Sequence, residues 1–145
     1  MSAKENYKNT GVYLRVLYDS LVANLHDRLA EAGYGEITPS HGLVFQYLEE
    51  EGSRITNLAA HTSMTKQSMS ALVYQLEGFG YLERKNDPLD ARAVLFILTE
   101  KGQTLKRKAR QFNYQFEKRW EKKLGVSRYQ TFRQMLQILD APDSE

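Results

Sequence analysis

The spacing of apolar residues changes from a helical to a strand period within residues 56–98, and this change constrains the fold more than any other feature. A short helical piece over residues 56–61 is followed by a tight turn and by a second helix that starts at Thr65. The apolar stripe of this second helix is Met69, Leu72, Val73 and Leu76. A turn-forming cluster at 86–90 and an alternating segment at 93–98 then predict a β-hairpin.

Helical periodicity also predicts longer helices on both sides of this segment. The first has apolar residues three and four apart, namely Leu14, Tyr18, Leu21, Leu25 and Leu29. Residues that favour helix starts stand before the other three, at Thr38, Thr99 and Ser127. The fold class is therefore mainly α with a small β-hairpin wing, in a single domain over residues 1–145.

Composition and hydropathy exclude several kinds of site and indicate the cellular compartment. The chain of 145 residues contains no cysteine, which excludes disulfide frameworks, thiolate zinc sites and cysteine nucleophiles. Its longest apolar run, residues 93–98, is far shorter than the roughly 18 residues of a membrane span. Residues 1–10 are polar and do not resemble a signal peptide. We therefore expect a cytoplasmic protein.

Residue patterns that carry catalysis or metal binding are missing from the sequence. His26, His41 and His61 do not form a close-spaced ligand pair. There is no serine-nucleophile motif, no phosphate-cradling glycine loop and no dinucleotide fingerprint. We expect no metal, no cofactor and no enzymatic activity.

Two short helices, a tight turn and a hairpin form a winged helix-turn-helix, whose second helix can enter the DNA major groove. On its outer face, Gln67 and Gln75 can pair with an adenine edge, and Ala71 can meet a thymine methyl group. Lys66 can reach guanine or phosphate. The candidate residues of this helix are Thr65, Lys66, Gln67, Ser68, Ser70, Ala71, Tyr74 and Gln75. The alternative is a polar face that is merely solvated.

The predicted hairpin adds the further candidates Arg84, Lys85, Asp90 and Arg92. A carboxylate two residues before an arginine can hold it extended for a narrow minor groove, where negative potential is enhanced. The alternative is a solvent-exposed ion pair that contributes about 0–1 kcal/mol. Residues 52–99 carry five basic and four acidic side chains, so DNA binding would depend on few phosphate contacts.

Residues 55–102 resemble the MarR family of bacterial transcriptional regulators. The resemblance includes a threonine-led second helix, a Leu-Glu exit, an Asp-Pro wing and a Leu-Thr-Glu-Lys-Gly close. These features stand here at Thr65, Leu76, Glu77, Gly80, Arg84, Asp87, Pro88, Asp90, Arg92 and residues 98–102. Outer helices of suitable length extend the resemblance over nearly the whole chain.

The resemblance implies a homodimer in which residues 6–32 and 100–140 interlock, while residues 38–99 form the DNA-binding unit. Two such units would face successive major grooves of a pseudo-palindromic operator, and Arg92, paired with Asp90, would probe the minor groove. The outer helices carry more apolar side chains than one small core can cover, which agrees with a dimer. Ala91 departs from the arginine of many relatives and removes one phosphate contact.

Many relatives release DNA when a small aromatic or anionic ligand binds, so the resemblance also implies a repressor with a ligand crevice. The candidate lining residues are Tyr7, Tyr13, Tyr18, Tyr34, His41 and Tyr47. Core packing explains tyrosines at helical spacing equally well. Residues 101–123 carry nine basic and two acidic side chains, a run that either attracts DNA or forms a solvated helix face.

Two other functions stay open. A winged helix can be a protein-interaction module without specific DNA binding, in which case Gln67, Ala71, Tyr74 and Arg92 would face a partner protein. A small enzyme is disfavoured because no catalytic set is visible. Specific, salt-dependent DNA binding would separate the regulator from the interaction module.

Overall fold

The computed structural model describes residues 8–144 as six helices and one two-stranded antiparallel sheet. The elements are α1 (Thr10–Glu31), α2 (Pro39–Tyr47), α3 (Ile55–Thr62), α4 (Lys66–Gly78), β1 (Leu82–Asp87), β2 (Asp90–Leu98), α5 (Glu100–Leu124) and α6 (Val126–Asp140). The predicted fold class is confirmed. Residues 1–7, which include Tyr7 and the start of the predicted segment 6–32, and residue 145 lie outside the described residues.

Helix starts lie where capping residues predict them. The side chains of Thr38, Thr65 and Thr99 each accept a hydrogen bond from the backbone N–H three residues later. Pro39 occupies the first turn of α2, where its missing N–H costs nothing. The last helix begins at Val126, one residue before the predicted start.

The hairpin is longer than the alternating pattern predicts, since β2 starts at Asp90 rather than at residue 93. Asp87 Oδ1 accepts the backbone N–H of Leu89 at 2.9 Å, which closes the turn tightly. Asp87 therefore pairs with Asp90; the register then shifts between Asp87 and Asn86, and a regular ladder runs from the Asn86 and Val94 pair to the Leu82 and Leu98 pair. Polar residues join this ladder because backbone pairing does not require an apolar side chain.

The main core lies where α2, α3, α4 and the hairpin meet the end of α1 and the start of α5. Its buried members include Leu29, Val44, Leu48, Leu58, Met69, Val73, Leu76, Tyr81, Leu82, Phe96 and Leu105. Three of the four residues predicted for the inner stripe of α4 are fully buried, and Leu72 is half-buried. This core fixes α4 with its polar side outward.

The outer helices leave apolar surface uncovered. On α1, Tyr13, Val16 and Tyr18 are exposed, and on α6 Ile138 and Leu139 are 73% and 81% exposed. A chain of this size rarely leaves such a surface open to water unless another molecule covers it. Over the described range 8–144, none of the helices combines the length and apolar character needed to cross a membrane.

Candidate nucleic-acid interface

The outer face of α4 is the exposed polar surface that the sequence predicts. Thr65, Lys66, Gln67, Ser68, Ala71, Tyr74 and Gln75 are exposed, and Ser70 is half-buried. Ser63 lies in the left-handed region, with φ of 56°, and ends α3 so that α4 starts only a few residues later. This positive φ makes the turn between α3 and α4 tight. Serine rarely adopts a positive φ, so the sequence did not predict this conformation at Ser63.

The start of α4 has its own hydrogen-bond network. Thr65 accepts the backbone N–H of Ser68 at 3.0 Å, and the Thr65 hydroxyl donates to Ser68 Oγ at 2.9 Å. These two side chains hold the helix end rigid, while Lys66 and Gln67 extend beside it as exposed side chains. Helix N-termini carry partial positive charge, so this end suits a phosphate oxygen.

The C-terminal half of α4 is linked to the wing through Arg84. Its guanidinium donates to both carboxylate oxygens of Glu77, at 2.7 and 3.0 Å. It also lies over the rings of Tyr74 and Phe96, 5.3 and 5.5 Å from their centroids. The hydrogen bonds that Arg84 donates to Glu77 raise the pKa of Arg84. Glu77 therefore compensates the charge of Arg84, a link that sequence reasoning missed.

A second ion pair fixes the wing to the start of α3. Arg54 Nε and Nη2 donate to Asp87 Oδ2 at 3.0 and 2.6 Å. The backbone N–H of Leu89 and the Arg54 guanidinium lower the pKa of Asp87, which keeps its carboxylate charged. Sequence reasoning placed Asp87 in the turn cluster and in the Asp-Pro wing, and Arg54 is one of the five basic residues that it counted in 52–99. In the fold they connect the end of β1 to the residue that precedes α3.

The implied side-chain pairing of Arg92 with Asp90 is wrong for this structure. Asp90 Oδ1 instead accepts the backbone N–H of Arg92 at 3.0 Å. Within residues 8–144, no carboxylate lies within 4.0 Å of the Arg92 guanidinium. The carboxylate is two residues from the arginine, a spacing at which a turn lets it reach the nearer backbone donor. Arg92 is consequently exposed and unpaired on the wing.

The charge of the winged unit is therefore divided into two groups. Arg54 and Arg84 are held by Asp87 and Glu77. The remaining cations of this unit are exposed and form no ion pair within the described chain, namely Lys66, Lys85 and Arg92. Three free cations per chain suit a site that depends on few phosphate contacts.

A cavity of about 500 Å³ lies between α1, α2 and α5. Of the predicted crevice residues that fall within 8–144, only Tyr18 lines it, and Tyr7 lies outside the described residues. The others have separate surroundings: Tyr34 packs on Tyr81, His41 caps α2, Tyr47 stacks on His61, and Tyr13 is exposed. The fold does not bring the predicted set together, because helical spacing places residues on a face without showing which face meets which.

Polar lining of this cavity comes mainly from residues that sequence reasoning did not single out as a site. They are His26, Gln46, Lys106, Arg110, Asn113, Tyr114 and Glu117. The spacing of Lys106, Arg110 and Asn113 along α5 was a usable signal, since residues four and three apart share a helix face. Asn113 Oδ1 is buried and has no hydrogen-bond partner within residues 8–144.

The three histidines are separated in the fold. His26 Nδ1 lies 3.1 Å from the carbonyl of Ile37, His41 is buried between α2 and α4, and His61 stacks on Tyr47. Among the described residues, no group of three or more histidine, cysteine or acidic side chains could hold a metal ion.

An exposed polar helix that follows a tight turn, beside a hairpin with an unpaired arginine, defines a winged helix-turn-helix protein. Residues 36–93 match the family model described as MarR family. No curated protein matches the sequence.

Solved structures extend this match along the chain. The transcriptional regulator Tm0710 of Thermotoga maritima is 26% identical, with 88% of each chain covered and a TM-score of 0.64. The Mycobacterium tuberculosis MarR family protein Rv2887, in complex with salicylic acid, is 23% identical over 92% of this chain and 98% of that one, with a TM-score of 0.70. A point mutant of MepR from S. aureus, bound to an oligodeoxyribonucleotide, is 18% identical over 92% and 96%, with a TM-score of 0.63.

Residues 36–93 are therefore similar to the MarR family, and the whole described chain shares its fold with MarR family structures. The similar solved structures include proteins described as transcriptional regulators.

Proposed function

We propose that this chain is a dimeric, sequence-specific repressor of transcription that acts in the cytoplasm and is released from DNA by a small ligand. The observation that carries the proposal is the exposed polar face of α4 beside a wing on which Arg92 is unpaired. Bound to its operator, the protein would exclude RNA polymerase by occupying the same DNA.

The proposed contacts divide by chemistry. Gln67 and Ala71 of α4 would meet base edges in the major groove, whereas Arg92 would enter the minor groove. Thr65, Ser68 and the end of α4 would position the backbone through phosphate oxygens. Lys66 and Lys85 would add phosphate contacts. The other predicted residues would hold these contacting side chains in place, namely Ser70, Tyr74, Arg84 and Asp90.

A second copy of the chain is the proposed cover for the exposed apolar faces of α1 and α6. Tyr13, Val16, Ile138 and Leu139 are exposed although they are apolar or aromatic. A two-fold dimer would bury them and would present two α4 helices to successive major grooves. The proposed dimer would account for the uncovered surface, and it predicts a pseudo-palindromic operator.

The cavity between α1, α2 and α5 is the proposed ligand site. Its size suits a small organic molecule, and its lining combines apolar residues of α1, α2 and α5 with polar side chains that come mainly from α5. Lys106 and Arg110 would bind a carboxylate, and Asn113 Oδ1, unpaired within the described chain, would accept a hydrogen bond from a hydroxyl group. The salicylic acid complex of Rv2887 supports an aromatic acid. Such a ligand would bind more tightly to a dimer in which the spacing of the two α4 helices does not fit the operator. It would thereby shift the protein toward that form and release the DNA.

Selection of bound fragments from random duplex DNA tests the regulator. We expect half-sites about one helical turn apart, and on the selected operator we expect Arg92→Ala to weaken binding by about tenfold or more. Arg107→Ala removes the same charge from α5, outside the interface, and is expected to have a much smaller effect. If no sequence is enriched, the interaction module becomes the better account, and equal effects of both variants would exclude a specific role for Arg92.

Salicylate tests the cavity. At about 100 times its dissociation constant, a ligand stabilises the folded state by about 2.7 kcal/mol, so Tm should rise and operator affinity should fall. Arg110→Gln should reduce both effects, whereas Arg107→Gln, on the same helix but outside this cavity, should leave them unchanged. A salicylate series that moves neither Tm nor DNA affinity would contradict the ligand site for this class of compound.

A further inference from the structure

His41 lies buried between α2 and α4, and its two ring nitrogens face different partners. It is 3% exposed. Nδ1 lies 3.0 Å from the backbone nitrogen of Thr38 and 3.1 Å from its hydroxyl oxygen. Nε2 lies 2.8 Å from Oε1 of Gln75, a residue predicted to read DNA. The ring of Phe79 packs edge-on against the imidazole, at 6.2 Å and 87°.

The donors around His41 determine where its proton lies. A backbone N–H can only donate, so Nδ1 must accept from Thr38 with its lone pair. Neutral imidazole carries one ring proton, which is then on Nε2. The Nε2–H group donates to Gln75, and the atom that faces it must be the carbonyl oxygen. The orientation of the Gln75 carboxamide therefore follows from the chemistry of its partner.

This orientation limits what Gln75 can offer to DNA. Two-point pairing with adenine requires the amide oxygen to accept from N6 and the amide nitrogen to donate to N7. In this fold the oxygen is turned to the buried His41. Within residues 8–144 the Gln75 carboxamide has no other hydrogen bond, and the residue is exposed. Its NH₂ group is left to bind an acceptor.

We propose that His41 is a positioning residue that makes Gln75 a hydrogen-bond donor toward DNA, so that Gln75 donates to a single acceptor and does not make the two-point N6 and N7 contact with adenine. The acceptor is a purine N7 or O6 group, or a phosphate oxygen. This inference rests on the proposed function, and it replaces the two-point adenine contact expected for Gln75 from the sequence. The same ring caps α2 through Thr38, so it cannot turn over without losing that cap.

Two substitutions separate the roles of the two ring nitrogens. His41→Asn places an amide oxygen near Nδ1, which keeps the α2 cap but removes the donor to Gln75. His41→Gln places an amide nitrogen near Nε2, which keeps that donor. We expect Gln75→Ala to reduce operator affinity by about tenfold. His41→Asn should reproduce part of this loss, His41→Gln should restore affinity, and His41→Asn combined with Gln75→Ala should be no worse than Gln75→Ala alone.

Operator selection with wild type and Gln75→Ala distinguishes the two acceptors. A base acceptor predicts that Gln75→Ala relaxes one position of each half-site, where the wild type accepts guanine at least as well as adenine. A phosphate acceptor predicts a uniform loss of affinity across sequences. A roughly tenfold preference of the wild type for adenine at the relaxed position would overturn the inference, as would wild-type affinity in both Gln75→Ala and His41→Asn.

A readout without DNA keeps this inference separate from the proposed function. In ¹⁵N spectra of the imidazole, we expect the His41 proton on Nε2 at neutral pH, and thermal unfolding should show that His41→Asn is folded. A proton on Nδ1 would overturn the inference whatever the DNA results. A wild type that selects no sequence would overturn the proposed function and the donor role together, even with the proton on Nε2.

Discussion

We expect Gly102→Ala to lower the free energy of unfolding by about 3 kcal/mol. Gly102 lies in the first turn of α5, and a Cβ atom there would overlap the carbonyl oxygen of Tyr81 and lie 3.1 Å from Leu98 Cδ2. The Tyr81 carbonyl also accepts the backbone N–H of Thr99 at 3.1 Å. Because the clash is with backbone, relief requires α5 to move away from the hairpin and to strain that hydrogen bond.

Gly42→Ala is the matched control for this substitution. Gly42 lies within α2, has no positive φ, and has no heavy atom within 4 Å of an added Cβ. Alanine there should stabilise the protein by about 0.5–1 kcal/mol, because it restricts the unfolded chain. Urea unfolding at one fixed protein concentration measures both changes. Equal stability of the two variants would show that α5 does not pack this closely on Tyr81.

We expect Phe96→Ala to cost about 3–5 kcal/mol of unfolding free energy. Phe96 is 2% exposed, and its backbone pairs with Ser53 through hydrogen bonds of 2.9 and 3.0 Å. Its ring packs 6.2 Å from that of Tyr74 and supports the guanidinium of Arg84. Truncation leaves a cavity where α4, the wing and the segment before α3 meet.

Val94→Ala is the control for Phe96→Ala on the same face of β2. Val94 is 38% exposed, so its truncation should cost about 1 kcal/mol or less. Thermal and urea unfolding of the two variants give the comparison. A Phe96→Ala protein as stable as Val94→Ala would mean that the ring is not a core element in solution.

The elements and their caps were predictable because they depend on neighbours in sequence. Thr38, Thr65 and Thr99 bond to residues only three positions away, so the chain specifies these helix starts before any tertiary contact forms. The inner face of α4 follows equally from the spacing of its apolar residues. These two signals define the order of elements and the polar face that is proposed to read DNA.

The functional geometry depends on pairs that are distant in sequence. Arg54 and Asp87 are 33 residues apart, and His41 and Gln75 are 34 residues apart. A sequence shows that each residue is polar. It does not show which residue forms an ion pair with it or which residue is hydrogen-bonded to its donors and acceptors. For this reason the side-chain pairing of Arg92 was predicted incorrectly, and the two-point contact predicted for Gln75 took no account of the hydrogen bond between its oxygen and His41.

Local signals along the chain were enough to predict the mainly helical class, the hairpin, the helix starts and the outward face of α4, because periodicity and capping act over a few residues. The folded arrangement was needed to establish which cations stay free, where the cavity lies and how Gln75 is turned. Those properties arise when side chains from separate elements compete for one partner. Which groups pair depends on the distances between them in the folded chain, and local periodicity does not specify those distances.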